Sequence, residues 1–458
     1  MPKSSIWNRE LVEKYNIAGP RYTSYPTALQ FSDDFGVEDF KETLKTSNVG
    51  KPLSLYLHIP FCENICYYCA CNKVITKDKS KADRYLKALV KEAEMIAPYV
   101  KGRKVTQIHW GGGTPTFLSN EQIEGLVSKL RELFEFDDDN GEFSIEIDPR
   151  SVDNKTMASL AHAGFNRLSM GVQDFNPEVQ KAVNRIQPEE DTRHLLLQAR
   201  RHGFNSINID LIYGLPHQTV ESFNETIDKI ITMAPDRLSV FNYAHLPHRF
   251  KPQRRINSYD LPSASEKLRI LESCIKKLTE AGYVYIGMDH FALPHDELTQ
   301  AQEEGDLHRN FQGYTTHAEC DLVGLGVSSI GQVGNSYSQS MRGLDEYYEK
   351  VEAGELPVWR GCYLTDDDVL RREVIMQLIC HFKLDFSQIE KAFNINFKEY
   401  FAEELESLVR FEEDGLLNVN EDSIQVNDAG RLLIRNICMV FDAYFKEVNL
   451  IQSFSKAI

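Results

Sequence analysis

The sequence has no apolar run approaching the roughly 18 residues that cross a membrane, and its opening stretch, "MPKSSIWNRELVEKYN", has none of the features of a signal peptide. Both absences predict a cytoplasmic chain with no membrane partner. There is also no Lys/Arg block. With 51 basic against 68 acidic residues the formal charge is −17, which argues against a nucleic-acid partner or an anionic membrane surface. Any anionic small substrate must therefore be held by local basic residues. A disulfide framework is not expected either, because cytosolic redox buffers keep thiols reduced. Of the nine cysteines, Cys274, Cys320, Cys362, Cys380 and Cys438 are scattered singly and read as small buried hydrophobes. What remains is a globular chain of 458 residues, 42% hydrophobic, long enough for a large core and more than one domain.

Between about 53 and 245, short β-patterned runs alternate with amphipathic helical ones, which implies a parallel sheet. "LSLYLHI" sets Leu53, Leu55, Leu57 and Ile59 on one face and Ser54, Tyr56 and His58 on the other. Further strands are expected at "VTQIHW", "EFSIEID", "FNRLSMGV", "NSINIDLIYG" and "RLSVFNYA", making six βα-type units. Ser80 is placed to cap the first helix, and Pro98 to stop it. If the sheet curls, the polar strand faces converge on one interior; an open doubly wound sheet is the competing architecture. Residues 1–50 read as an appended arm, 51–355 as a catalytic domain with an extension, and 356–458 as a mostly helical, winged-helix-like domain. That last domain carries the hairpin pattern "GLLNVNEDSIQVNDAG" before a final long helix. Its helices bear Glu403, Glu404, Glu406, Glu412, Glu413 and Asp414, which is the wrong sign for DNA.

"HIPFCENICYYCACNK" places Cys62, Cys66, Cys69 and Cys71 within ten positions. A zinc site usually takes two ligand pairs across a longer loop, and no second pair follows, although His58 could complete one. A compact loop instead suits the adjacent corners of an iron–sulfur cube. All four thiols could close an electron-transfer centre, or three could leave one iron open to bind and activate a substrate. "GGGTP", Gly111 to Pro115, lies one βα unit later and lacks the G-x-G-x-x-G pattern of a dinucleotide site.

The x3, x2 cysteine spacing, with Tyr68 before the third cysteine, resembles the signature of the radical S-adenosylmethionine superfamily. Within it, the chain is similar nearly end to end to the oxygen-independent coproporphyrinogen III oxidases (coproporphyrinogen dehydrogenases). The likeness runs through "GPRYTSYPTA", "LHIPFCENICYYCACNK", "HWGGGTPT", "EIDPR", "RLSMGVQDFN", "NIDLIYGLP", "DRLSVFNYAHLP", "GMDHFA" and "HRNFQGYTT". It implies a partial (β/α)6 barrel of α/β class. It also implies a porphyrin- and haem-biosynthesis enzyme that oxidatively decarboxylates two propionates of coproporphyrinogen III to vinyl groups, giving protoporphyrinogen IX without oxygen. The hydrogen would be taken by a 5'-deoxyadenosyl radical from S-adenosylmethionine, cleaved at a [4Fe–4S] cluster.

Residue by residue, the resemblance implies Cys62, Cys66 and Cys69 as metal ligands and Cys71 as a cysteine that does not ligate. It places Tyr56, Gly112 and Glu146 at a first S-adenosylmethionine, which Tyr56 and Glu146 position. Tyr68, Gly113, Thr114, Gln173, Arg185, Asp210, Ala244 and Ile330 fall at a second. Tyr68 and Ala70 stand where the family often has Phe and Gly. Read without the family, Glu146 and Asp210 could equally pair with Arg167 or Arg185. Arg21, Tyr22 and Tyr25 are candidates for substrate or gating contacts, and His290, His308 and Arg309 for propionate binding. The other functional class is a haem-binding chaperone on the same fold; Cys71 and the "YTSYPT" arm favour the enzyme. A monomer is expected, served by a reductant and an electron acceptor that the sequence does not identify.

Overall fold

The computed structural model describes residues 6–47 and 50–445; the start of the arm and the end of the expected last helix lie outside them. Contacts divide the chain into two compact units. One comprises Phe31–Lys277 and Glu319–Tyr363, and the other Met1–Gln30, Leu278–Ala318 and Leu364–Ile458.

The first unit is built on the six expected strands: β1 (Leu53–Ile59), β2 (Lys104–Gly112), β3 (Glu142–Ile147), β4 (Arg167–Gln173), β5 (Ser206–Tyr213) and β6 (Arg237–Asn242). Four more follow late in the chain: β7 (Asp321–Leu325), β8 (Ile330–Val333), β9 (Ser336–Ser340) and β10 (Val358–Tyr363). Within this unit their order is β6-β5-β4-β3-β2-β1-β7-β8-β9-β10. The pairs from β6 through β7 are parallel, and the last three pairs are antiparallel.

Strand alternation explains the layering. Leu55, Leu57, Ile59, Ile145, Ile207 and Ile209 are fully buried, and the burial of β3 and β5 switches residue by residue between them and Ser144, Glu146, Asn208 and Asp210. Helices α1 (Ser80–Ile96), α2 (Asn120–Leu133), α3 (Asn154–His162), α4 (Glu189–Arg201) and α5 (Val220–Met233) follow the strands in turn, each with a stripe of buried residues. Shortening one such side chain to alanine costs about 2–5 kcal/mol, because the neighbours collapse only partly into the gap. Ser80 does not cap α1 but is its first residue; Asp78 Oδ1 accepts its N–H (3.1 Å) and hydroxyl (2.6 Å). A carboxylate there meets the positive end of the helix dipole, which a hydroxyl cannot do as well.

Two buried polar contacts fix β7 beside β1. Arg103 Nη2 donates to Asp321 Oδ2 (2.6 Å), both side chains being almost wholly buried. On α1, Glu92 Oε2 accepts from Gly326 N (2.8 Å) and from the Tyr347 hydroxyl (2.6 Å). Burial pushes the Glu92 carboxyl up to about 7 from 4.5, although both hydrogen bonds pull it down. The folded protein therefore holds a proton on Glu92 that the unfolded chain releases. Its contribution to stability falls as pH rises from about 4.5 to 7 and is level above that. We expect Glu92→Gln to lose less melting temperature than the unmutated protein between pH 5 and pH 8, measured by thermal scans at both. An equal loss in the two would show that Glu92 stays ionised.

In the second unit, helix Asp366–His381 precedes a three-stranded antiparallel sheet ordered Lys383–Asp385, Ser423–Val426, Leu417–Val419, with helices Phe386–Phe393 and Ala402–Glu413 between the first strand and the hairpin. This is the expected winged-helix-like pattern, hairpin included. The long helix expected after it is instead two short ones, Asp428–Arg431 and Ile434–Cys438. Ile434 to Cys438 are all buried, so the segment has no solvent face to continue as an amphipathic helix. It brings Arg435 Nε to Pro20 O (2.9 Å) and Asn436 Nδ2 to Tyr15 O (2.9 Å). Tyr22 donates to Asp442 Oδ2 (2.9 Å), Ala443 N donates to the Tyr25 hydroxyl (3.0 Å), and Arg21 pairs with Asp289. Arg309 Nε donates to Arg21 O (3.4 Å), and His290 meets Tyr314 edge-on. These arm residues thus have structural partners of their own. Among the described residues, no helix is long and apolar enough to cross a membrane.

Candidate cluster and cofactor site

The cysteine loop leaves the C-terminal end of β1 and is stitched to the glycine turn after β2. Gly113 N donates to Ile59 O and Thr114 N to Phe61 O, each at 2.8 Å, and Phe61–Cys62 pairs in parallel with Val74–Ile75. The turn needs its glycines. A Cβ at Gly113 would stand 2.8 Å from the backbone of Pro60 and Phe61, and one at Gly112, whose φ is +115°, would stand 2.7 Å from the His58 ring. Only glycine fills both positions without strain.

Donors surround the thiols. Arg185 Nη1 (3.5 Å) and Arg150 Nη2 (3.7 Å) point at Cys66 Sγ, and Thr114 Oγ1 lies 3.5 Å from Cys62 Sγ. Lys73 Nζ donates to the carbonyls of Cys69 (3.3 Å) and Cys71 (3.1 Å). Cys66 is buried, Cys62 and Cys69 are half-buried, and Cys71 is exposed. The neighbouring Cys71 thiol and then Lys73 hold the Cys69 thiol down to about 6, against burial.

On the polar faces of β1 to β3 the side chains form two hydrogen-bonded groups joined by a ring stack. The Tyr56 hydroxyl meets His58 Nδ1 (3.1 Å), and His58 Nε2 meets Asn72 O (3.0 Å). The Tyr56 ring stacks on His109, with centroids 5.9 Å apart. His109 reaches Ser144 Oγ (2.6 Å) and Glu146 Oε1 (3.2 Å), and Gly112 N donates to Glu146 Oε2 (3.3 Å). Burial favours a neutral Glu146, but His109 and the Gly112 N–H outweigh it and hold the carboxyl below its usual range. Burial pulls His58 down, so its ring is neutral.

Farther along the same sheet, Asp210 accepts from Asn208 Nδ2 (2.7 Å) and Ser169 Oγ (3.2 Å). Burial and the nearby charge of Glu146 push its carboxyl up to about 6. Arg185 also bonds to Asp148 Oδ2 (3.2 Å) and to Gly171 O. A register shift in β4 between Gly171 and Gln173 leaves Gln173 with φ +73°, and both the Gln173 amide and the Arg185 guanidinium lie over the bare Cα of Gly171. Tyr68 packs on an apolar cluster of Val179, Val183, Leu215, Tyr243 and Ile256. Ala244 is exposed just beyond β6, and Ile330 opens β8 with its backbone against Gly324. Those two lie on opposite flanks of the parallel strands, so one ligand reaches both only if the sheet curls around it.

These residues fit a cluster and a sulfonium cofactor. The sulfurs of Cys62, Cys66 and Cys69 do not all lie within 4.8 Å of one another, the spacing of ligands on a single ion; thiolates on separate irons of a cube stand farther apart. The bare glycine turn leaves room for an amino-acid moiety, and Arg185 Nε is buried with no hydrogen-bond partner among the described residues.

Residues 56–230 match the Radical SAM superfamily, and residues 364–433 match the HemN C-terminal domain. An oxygen-independent coproporphyrinogen III oxidase of Pseudomonas aeruginosa is 55% identical over 455 residues, covering 99% of each chain. That of Escherichia coli K12 is 54% identical, covering 99% of this chain and 98% of its own. The chain belongs to the oxygen-independent coproporphyrinogen III oxidases. A solved structure described as "Coproporphyrinogen III oxidase (HemN) from Escherichia coli is a Radical SAM enzyme" superposes with a TM-score of 0.92 at 53% identity, covering 96% of this chain and 99% of that one. The family brings a [4Fe–4S] cluster and S-adenosylmethionine as cofactors. Sequence reasoning about single residues left out His109, Asp148 and Arg150. The last two belong to "EIDPR", where an acid and an arginine flank a proline at a strand end, and that signal could have marked them.

Proposed function

We propose that this chain oxidatively decarboxylates two propionates of coproporphyrinogen III to vinyl groups without oxygen, yielding protoporphyrinogen IX. The observation that carries this reading is 55% identity to an oxygen-independent coproporphyrinogen III oxidase over 99% of each chain. Cys62, Cys66 and Cys69 would hold the cluster and leave one iron open. When bound, the cluster and S-adenosylmethionine would supply the radical chemistry that takes hydrogen from a propionate and lets carbon dioxide leave, the remaining electron passing to the acceptor.

The chain's own residues orient and shield. Tyr56 stacks beside His109, Glu146 is held ionised to receive an ammonium, and the Gly111–Gly113 turn lets a ligand approach the backbone without side chains in the way. His58, neutral and bonded to Asn72 O, braces the loop against Tyr56. Every one of these residues falls between 51 and 355, which we take as the catalytic domain, with 1–50 an arm and 356–458 an accessory domain. The chain would act as a cytoplasmic monomer, with neither membrane nor nucleic acid as partner, fed by one reductant and drained by one acceptor.

The test is an anaerobic assay with reconstituted cluster, S-adenosylmethionine, a low-potential reductant, an acceptor and coproporphyrinogen III. The expected products are protoporphyrinogen IX, 5'-deoxyadenosine and methionine. Stoichiometric haem binding with no decarboxylation would support a haem-trafficking protein instead.

A second S-adenosylmethionine would lie against Tyr68, Gly113, Thr114, Gln173, Arg185, Asp210, Ala244 and Ile330. Arg185 would meet its carboxylate and Asp210 its hydroxyl or ammonium groups, each bond contributing about 1.5–3 kcal/mol. Asp210→Ala and Arg185→Ala should keep iron and the first-site spectral change, yet bind one equivalent of S-adenosylmethionine fewer. A stoichiometry of one in the unmutated protein, unchanged in both variants, would assign these residues to substrate or fold.

A further inference from the structure

The site described so far leaves one cationic pair on the same sheet unexplained. Tyr56 on β1 lies opposite Gly324 on β7, and Gly324 lies against the backbone of Ile330 on β8. Ile330 is opposite Gln339 on β9, and Gln339 is opposite Arg360 on β10. Residues directly opposite share a face, so this row carries the polar face of Tyr56 outward to Arg360. Two strand spacings, about 10 Å, separate Arg360 from Ile330.

The register between β9 and β10 shifts after Gln339, leaving Trp359 as the additional residue of a bulge. A bulge re-aims the side chains beside it. Here the Trp359 ring lies 4.3 Å from the Arg360 guanidinium, and Arg342 approaches the same ring at 5.9 Å. Arg360 Nε donates to Gln339 Oε1 (2.8 Å). Neither guanidinium has a carboxylate partner among the described residues, although the chain as a whole carries −17. Burial, and then the charge of Arg342, make the charged form of Arg360 less favourable. Two guanidiniums facing one ring, neither in an ion pair among the described residues, are an arrangement that an anion relieves.

The pair is joined to the cysteine loop. Asn72 Nδ2 donates to Arg342 O (3.0 Å), and Asn72, Arg342 and Trp359 line a cleft of about 670 Å³ with Glu346, Glu349 and Lys350. That volume is within the range of small-molecule sites. Lys350 is neutralised by Glu355 (2.8 Å), so the arginine is the unpaired cation of that lining.

We propose that Arg342 and Arg360, both against the Trp359 ring, grip a propionate carboxylate of the tetrapyrrole substrate while Trp359 packs against a pyrrole ring. This rests on the function proposed above. A guanidinium presents a planar fork that matches a carboxylate, the substrate bears a propionate on every ring, and an indole offers the flat apolar surface a pyrrole needs. The pair would hold one carboxylate so that another reaches the S-adenosylmethionine side of the same sheet.

The test titrates the cluster-loaded full chain, kept anaerobic, with coproporphyrin III and separately with its tetramethyl ester, followed by porphyrin fluorescence. Unmutated protein should prefer the acid to the ester. Arg360→Gln and Arg342→Gln should each weaken acid binding about tenfold or more while leaving ester binding, iron content and S-adenosylmethionine stoichiometry in place. In the assay both should raise KM for coproporphyrinogen III more than they lower kcat, and Arg360→Lys should recover part of the loss. Unchanged acid affinity in both glutamine variants, or equal weakening of acid and ester, overturns the proposal. If the unmutated chain neither binds coproporphyrin III nor turns over coproporphyrinogen III, the function reading fails and takes this proposal with it. Turnover that both variants retain with unaltered KM sinks the arginine pair alone.

Discussion

Replacing Cys62, Cys66 or Cys69 with serine is expected to leave a protein without the visible absorption of a [4Fe–4S] cluster and with residual iron only, whereas Cys71→Ser keeps both. A hydroxyl binds iron far less well than a thiolate, so each loss should be near complete. Cys71 differs in its geometry. It is exposed, whereas Cys66 is buried and Cys62 and Cys69 are half-buried. Anaerobic reconstitution followed by iron analysis and absorption spectra decides the matter. Iron loss in Cys71→Ser equal to that of the other three would sink the open-iron arrangement. Melting temperatures of the cluster-free forms separate a ligand effect from a folding one.

Gly112→Ala should abolish the first-site response to S-adenosylmethionine while leaving the cluster loaded. Two costs coincide there. At φ +115° an L side chain is strained by about 1–3 kcal/mol, and the new Cβ would stand 2.7 Å from the His58 ring. His58 cannot withdraw freely, because its two nitrogens are committed to Tyr56 and to Asn72 O. The turn therefore shifts, and Gly112 N loses Glu146. Equilibrium binding and the cofactor-induced spectral change on reconstituted protein measure this. Binding within threefold of the unmutated chain would show that the turn is not the cofactor's cradle.

The six parallel strands were legible because a period of two is written locally. Ile145 and Glu146, or Ile209 and Asp210, declare their faces without reference to the rest of the chain. The cysteine spacing was legible for the same reason. The antiparallel extension was not. β9 reads "SYSQS", polar throughout, yet all five residues are buried, and its partners come from segments on either side of a helix. The ring of donors around Cys66 was hidden too, because Arg150 and Arg185 reach it from loops whose approach only the folded chain defines. Ser80 does not cap because its N–H and hydroxyl are both taken by the Asp78 carboxylate two residues earlier.

The β8–β9 hairpin closes with Val333 opposite Ser336, leaving a two-residue turn of Gly334 and Asn335. Ile330 and Gln339 hold their faces by counting back from that turn. A single residue deleted inside β9 would turn Gln339 outward and carry Arg360 off the row, whereas a pair of residues added at the turn tip would leave every facing intact. Length variation among descendants of this chain should therefore be confined to the tip of that hairpin, and a library built to diversify the region has its one permissive position there.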